Sequence, residues 1–380
     1  MATATTAHSA APGRQASEPA VPRRRRGTPD EGLARNARIG SWCATGELGR
    51  GGMSSVHAVV HAKFGKRAAI KLAHRSVIGP GGMSAKTFLR EARIVHAIEH
   101  PAVIDVFATG SYDGRPYLVM EKLAGTSLGR RVDEGPLPRR DALAILLELC
   151  DVLRAAHAAG VVHRDLKLDN VFLCDTPFAD GRRIKLLDWG VAHVAGEDDP
   201  FRGLIAGTLT YVAPEQIRGD ALTGAADIYS LAVLAYHLLC RRPPFAGADL
   251  ALLQMHLRAE PPPPRMAWPD APAALDELLV RMLAKHPEQR PSLDEVERAL
   301  REALDVIDAP PRLAEGSRAH IALPAEAPWY LRWLSARGLA PELAGDVLGR
   351  PVLPAPPFKL GWICVAAVLV VLAALVNALP

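Results

Sequence analysis

Between Ile39 and Val119 the apolar residues fall in short runs around glycine-rich turns, as in GELGRGGMSSVHAVV and RAAIKLA, a pattern that predicts β-strands. The period then lengthens. In RRDALAILLELCDVLRAAHAAG, Leu143, Leu146, Leu147, Leu149 and Leu153 recur at helical spacing, and His157 continues that face near the helix's end, with no chemistry assigned to it. FLREARIVHAIEHP is also helical in pattern, with Leu89, Ile94, Val95 and Ile98 on its apolar side and Glu91 among them. The expected architecture is α+β and bilobal: a small β-rich N-lobe followed by a larger α-helical C-lobe. No internal repeat is visible.

Both ends depart from this pattern. Residues 1–41 are rich in Ala, Pro, Thr and Arg without apolar periodicity, which predicts a disordered basic arm. Its run Arg23 to Arg26 reads either as a contact for anionic lipid or nucleic acid or as a solvated tail, and no apolar stretch follows it to make a secretory signal. At the other end, LGWICVAAVLVVLAALVNAL (360–379) is twenty residues without a charge, and as a helix it would span about 30 Å of hydrocarbon. A Pro-rich stretch, 305–359, precedes it and reads as a juxtamembrane linker. Arg350 and Lys359 lie before the span and Pro380 alone after it, so everything N-terminal is expected on the cytoplasmic face of a single-pass anchor.

Composition narrows the picture further. At 380 residues with 49% apolar and 23% charged residues, the chain can bury a large core, and 45 Lys and Arg against 41 Asp and Glu leave only +4, which does not by itself predict a nucleic-acid partner. The five cysteines, Cys43, Cys150, Cys174, Cys240 and Cys364, are scattered without a C-x-x-C pair, which suits free thiols in a reducing compartment.

Candidate chemistry accumulates in chain order. In ELGRGGMSSVHAVV, Gly49, Gly51 and Ser54 sit on a strand-turn-strand whose small side chains let backbone N–H groups approach phosphate oxygens, although such a cluster also serves plain hairpins. AAIK then ends a strand-like run in Lys71, a cation suited to phosphates, and Glu91 could pair with it or lie solvated on its helix. HRDLKLDN places Asp165, Lys167 and Asn170 in a short polar loop between apolar runs, and LLDWG delivers Asp188 at the end of another. A carboxylate to accept a hydroxyl proton, an amide and a second carboxylate for Mg²⁺, and a lysine for the moving phosphoryl group are the parts that phosphoryl transfer needs.

With LGRGGMSSV, AAIK, the helix glutamate, HRDLKLDN, DWG, APE and DIYSLA in order, residues 42–304 resemble the protein kinase family, and most of all the eukaryotic-like Ser/Thr kinases of bacteria. The resemblance implies ATP with Mg²⁺ (or Mn²⁺), Asp165 as catalytic base, Lys167 on the γ-phosphate, and Asn170 and Asp188 as metal ligands. It implies that Lys71, paired with Glu91, holds the α- and β-phosphates under a loop of Leu48, Gly49, Gly51, Gly52 and Ser54. VMEKLAG would be the hinge, with Met120 as gatekeeper, the backbones of Glu121 and Leu123 reading adenine, and Val56, Ala69 and Phe172 sandwiching the ring. Thr208 would sit beside Asp165 and Lys167, and Glu215 would form a buried structural pair with Arg290. Lys167, two residues after the base, resembles the Ser/Thr-specific form, so protein Ser/Thr hydroxyls are the implied substrates.

Three departures from the family pattern stand out. Ser54 replaces the third glycine, and Trp189 stands where Phe is usual before Gly190, with a ring expected to fill more space beneath the Glu91 helix. From Gly190 to Gly207 there is no Ser, Thr or Tyr, while Glu197, Asp198 and Asp199 follow one another. In many relatives a phosphorylated threonine in this loop pairs with basic groups such as the arginine here at Arg164; the three acids either supply that charge permanently or are merely solvated. The leading expectation is an active membrane-tethered Ser/Thr kinase, the alternative a pseudokinase scaffold at the bilayer. The sequence leaves a homodimer open and predicts no specific nucleic-acid partner.

Overall fold

In this computed structural model, residues 32–78, 83–201 and 208–308 are described. Arg23 to Arg26, the linker from residue 309 onward and the apolar run 360–379 lie outside them. Among the described residues no helix is long and apolar enough to cross a membrane.

The strands read from the short apolar runs form one antiparallel sheet. They are β1 (Arg38–Ile39), β2 (Trp42–Arg50), β3 (Ser54–His61), β4 (Arg67–Ala73), β5 (Val106–Tyr112) and β6 (Arg115–Met120), in the spatial order β1-β2-β3-β4-β6-β5. Helix α1 (Ala85–Ile98) interrupts the strands in sequence. Its N-cap Ser84 accepts a hydrogen bond from the Thr87 amide, and it buries Phe88, Glu91, Ile94, Val95 and Ile98. The predicted arm ends earlier than residue 41: Leu33 and Ile39 are buried with Ala44, Val59, Ala68, Ile70, Leu72 and Val119, because the sheet's outer layer lacks apolar cover without them.

The second lobe begins with the short β7 (Gly125–Ser127), α2 (Leu128–Asp133) and α3 (Arg139–Ala158), the helix expected from the leucine spacing. Next come β8 (Val161–Val162), β9 (Val171–Cys174), β10 (Ile184–Leu186) and β11 (His193–Val194); β10, β9 and β7 form one small sheet and β11 and β8 another, and these carry the loops of the site. Helices α4 (Pro214–Arg218), α5 (Ala225–Cys240), α6 (Asp249–Arg258), α7 (Ala273–Met282) and α8 (Leu293–Asp308) complete it. α5 is buried on nearly every side, as its almost wholly apolar sequence demands. α8 runs on past residue 304 to Asp308, since Ile307 still packs against the core.

Candidate active site

Sheet register decides which side chains share a wall. Gly49 pairs with Val56, Val56 with Lys71 and Lys71 with Leu118 across successive strands. Directly opposed residues share a face and strands alternate with period two, so Val56, Ala69 and Lys71 lie on one side, while Ala68, Ile70 and Leu72 are sealed in the other. The turn between β2 and β3 is closed by the Gly51 amide on the Ser54 carbonyl at 2.9 Å. A Cβ at Gly49 or Gly52 would meet nothing within 4 Å, and at Gly51 nothing nearer than 3.8 Å; none of the three has a positive φ. The turn's own backbone therefore does not require glycine. The bare edge it leaves suits the approach of phosphate oxygens.

Below this edge Lys71 Nζ donates to Glu91 Oε2 at 2.7 Å and to Asp188 Oδ1 at 2.8 Å. Burial alone would depress the Lys71 ammonium, but the facing Asp188 and Glu91 carboxylates outweigh it and hold its pKa above the ordinary lysine value. Lys71 in turn holds Asp188 down to about 2, whereas burial raises the Glu91 carboxyl despite Lys71. Space is tight at Gly190: an added Cβ would lie 3.3 Å from Asp188 Oδ1 and 3.4 Å from Glu91 Oε2, so one of these carboxylates would have to give way.

The catalytic-loop carboxylate is equally engaged. Asp165 Oδ2 accepts from Lys167 Nζ at 2.7 Å and from Asn170 Nδ2 at 3.1 Å, and Asp165 Oδ1 accepts from the Thr208 amide at 3.0 Å. Thr208 thus reaches Asp165, as expected, through its backbone; the residue is itself exposed. Asn170 also donates to the Asp165 carbonyl at 2.8 Å. That commits its amide nitrogen and leaves its side-chain oxygen, while Asp188 keeps one oxygen clear of Lys71. Two hard oxygen donors fit Mg²⁺ or Mn²⁺, which complete their shells with phosphate and water. Among the described residues no group of three or more His, Cys, Asp or Glu could hold a metal ion.

Arg164 and Asp188 both take positive φ, 70° and 59°, which non-glycine residues adopt only where the surroundings insist. For Arg164 the enforcing group is Asp227 of α5, whose carboxylate accepts from the His163 amide and the Arg164 amide, each at 2.9 Å. His157 lies 2.8 Å from the same carboxylate through Nε2, so this residue, to which no chemistry was assigned from its place on the helix face, braces the catalytic loop from α3. Burial works against ionisation of Asp227, yet the His157 and His163 contacts hold its carboxyl below the ordinary value. The available signal was Asp227, the one carboxylate in a mostly apolar sixteen-residue helix. Trp189 is fully buried, its ring 4.5 Å from the His163 ring, and its backbone hydrogen-bonds Glu91 beneath α1.

The acidic turn divides into three fates. Asp199 makes a two-pronged pair with Arg164, Nη1 to Oδ1 at 2.9 Å and Nη2 to Oδ2, with side chains 4% and 12% exposed. Burial pushes the Asp199 carboxyl up, but Arg164, the Phe201 amide and His193 together outweigh it and the net shift is downward. Glu197, 40% exposed, reaches α1 through Arg90 at 3.1 Å and Arg93 at 3.6 Å. Arg90 also donates to the Ala192 carbonyl at 2.6 Å, a role hidden in the sequence because a helix arginine beside a glutamate reads as solvated. Asp198 is exposed and pairs with no described residue.

At the hinge, Ala69 pairs with Met120 at the end of β6. The Glu121 amide donates to the Asp105 carbonyl at 3.0 Å, and its carboxylate accepts from the Asp105 amide at 2.9 Å and from the buried Lys185 at 2.5 Å. The side chain of Glu121 therefore braces the hinge, beyond the backbone role expected of it. Leu123 and Phe172 are half-buried, Phe172 on β9 opposite Ser127 and Lys185, and Leu48 is exposed at the loop's rim. Gly125 admits no other residue, since a Cβ there would fall 1.9 Å from the Leu173 carbonyl oxygen. Far from the chemistry, Glu215 and Arg290 form the expected buried pair, at 2.5 and 2.8 Å.

Comparison with known proteins identifies the family. Residues 42–300 match the family described as protein kinase domain. The serine/threonine-protein kinase Pkn1 of Myxococcus xanthus is 41% identical over 260 residues, 67% of this chain and 36% of that protein. PknB of Mycobacterium tuberculosis is 30% identical over 318 residues, 81% of this chain and 47% of that protein. The chain thus spans between about a third and a half of the length of these curated relatives. The crystal structure of the Mycobacterium tuberculosis PknI kinase domain, C20A mutant, is similar with a TM-score of 0.56 and 28% identity, covering 72% of this chain and 99% of that one.

Proposed function

The chain belongs to the protein kinase family, and from that premise we propose that it is an active serine/threonine protein kinase transferring the γ-phosphoryl group of ATP to protein hydroxyls. The observation that carries this reading is Lys71 bridging Glu91 and Asp188 while Asp165, Lys167 and Asn170 stand hydrogen-bonded together. A pseudokinase scaffold would not need all of these groups. The names of the relatives support Ser/Thr specificity.

Bound ATP with its divalent cation supplies the phosphoryl group and neutralises charge developing on it. In our assignment Asp188 and Asn170 hold the cation, and Lys71, kept charged by its two carboxylates, orients the α- and β-phosphates. The carbonyl of Glu121 and the amide of Leu123 read adenine between Val56, Ala69 and Phe172. Asp165 takes the proton as the substrate hydroxyl oxygen bonds to phosphorus and the bond to ADP breaks. Lys167, whose ammonium donates to Asp165 at 2.7 Å, would neutralise charge developing on the γ-phosphoryl group. The twenty uncharged residues 360–379 support tethering of this domain to the cytoplasmic face of a membrane.

The test is Asp165→Asn. Labelled phosphate incorporation from ATP with Mg²⁺ or Mn²⁺ should fall to background while nucleotide binding and thermal unfolding stay near the parent's. Parent-level incorporation in this variant overturns the assignment.

A further inference from the structure

The turn joining β3 to β4 carries an aromatic residue that the structure holds in solvent. Phe64 is 80% exposed, and its ring stacks on His61 with centroids 4.7 Å apart. His61 is itself fixed. Trp42 meets its ring edge-on at 5.0 Å, the amides of Lys63 and Phe64 both point to its Nδ1 at 3.3 Å, and its own amide and carbonyl bond to Lys66 and Gly65. A ring free to fold back onto the sheet is instead pinned outward. Beside it Lys66 Nζ lies 3.7 Å over the ring of Phe107, which is 38% exposed.

Along the chain the hairpin and its flanks carry charge of one sign, the nearest exposed acid to Phe107 in sequence being Asp105. From Leu48 to Arg90 there are eight basic residues and no acid. Residues 1–90 hold 15 Lys and Arg against 4 Asp and Glu, a surplus of 11 in a chain whose total is +4, so the remainder is net negative. Lys63, Lys66 and Arg67 are exposed at the turn and pair with no acid among the described residues.

We propose that the tip of the β3–β4 hairpin, Phe64 with Lys63, Lys66, Arg67 and Phe107, is a docking surface for an anionic lipid bilayer. Exposed Phe rings bury their apolar surface at the headgroup and acyl boundary, and lysine stems lie along apolar surface while their ammonium groups reach phosphate. Each basic residue near an anionic surface is worth about a five-fold factor in binding. A single-stranded nucleic acid would also find cations here, but stacking successive bases needs several free faces, and His61 already covers one face of Phe64. Docking would fix which way the β-rich lobe faces the membrane. The inference goes beyond the kinase reading and does not depend on the 360–379 tether.

The test uses the full chain with phosphatidylcholine vesicles and with vesicles that include phosphatidylglycerol, read by hydrogen exchange of the 61–67 turn and by sedimentation. Slower exchange in 61–67 is expected with anionic vesicles alone, and it should vanish at high salt. K63Q/K66Q should weaken that protection about 25-fold in lipid titration, and F64S should weaken it further, with the parent's kinase activity kept in solution. Equal exchange in both vesicle types overturns the proposal even if the chain sediments with both, since sedimentation reports only the tether. Protection that depends on protein concentration without lipid assigns the surface to a second copy, and protection by oligonucleotide but not vesicles assigns it to nucleic acid; either overturns it.

Discussion

The pairing of Asp199 with Arg164 makes Asp199→Asn an informative change. Arg164 immediately precedes the catalytic Asp165 and its side chain is 4% exposed, with Nε lacking any partner, so Asp199 is the carboxylate its guanidinium pairs with among the described residues. Removing one member of a buried hydrogen-bonded charge pair costs about 2 to 5 kcal/mol. The low end applies here, because Asp199 is 12% exposed and Asn still accepts one hydrogen bond. About 2 kcal/mol shifts the equilibrium between ordered and open loop about 30-fold. Glu197, 40% exposed, is screened, and Glu197→Gln should change rates only about two-fold. Asp198→Asn should change nothing. The assay is the initial rate of phosphate transfer by phosphatase-treated protein at about 0.05 and about 0.5 M salt, with thermal unfolding to confirm an intact fold. The parent should run without prior phosphorylation and with little salt dependence. A general charge clamp read from the sequence would be strongly salt-sensitive; the structure moves its principal member inside, where screening is weak. Rates for Asp199→Asn within two-fold of the parent's, or equal losses for Asp198→Asn and Asp199→Asn, would refute the reasoning.

Two further outcomes follow from the packing. Gly190→Ala presses a methyl group against Asp188 and Glu91 without a backbone penalty, so kcat/KM should fall about ten-fold while Tm is little changed, and a parent-like kcat/KM would disprove the spatial requirement. His256 is fully buried against Tyr229, and burial depresses its pKa to about 4 from 6.5, so it stays neutral in the fold while the unfolded chain binds its proton. Its contribution to stability is therefore present above pH 6.5 and lost as pH falls toward 4, by about 3 kcal/mol. Urea unfolding across that range should show this slope in the parent and a flatter one in His256→Gln; parallel slopes would contradict it.

The order of the chemistry-bearing residues was legible because each lies in a short local pattern. Lys71 closes an apolar strand, Asp165 to Asn170 fill a polar gap between two apolar runs, and Asp188 ends another. Strand alternation and helical spacing are properties of neighbours along the chain, so the β-rich lobe and α3 could be read directly. What each acid does could not. Glu197, Asp198 and Asp199 are consecutive and chemically alike, yet Asp199 lies against Arg164, Glu197 against Arg90, and Asp198 in solvent. The same holds for His157 and Asp227, seventy residues apart in sequence and 2.8 Å apart in space. The sequence by itself determined which groups were available and on which elements they ride. Only the tertiary structure decided their partners, because the energy of a charge depends on its depth and on what faces it, and both are set by contacts between segments distant along the chain.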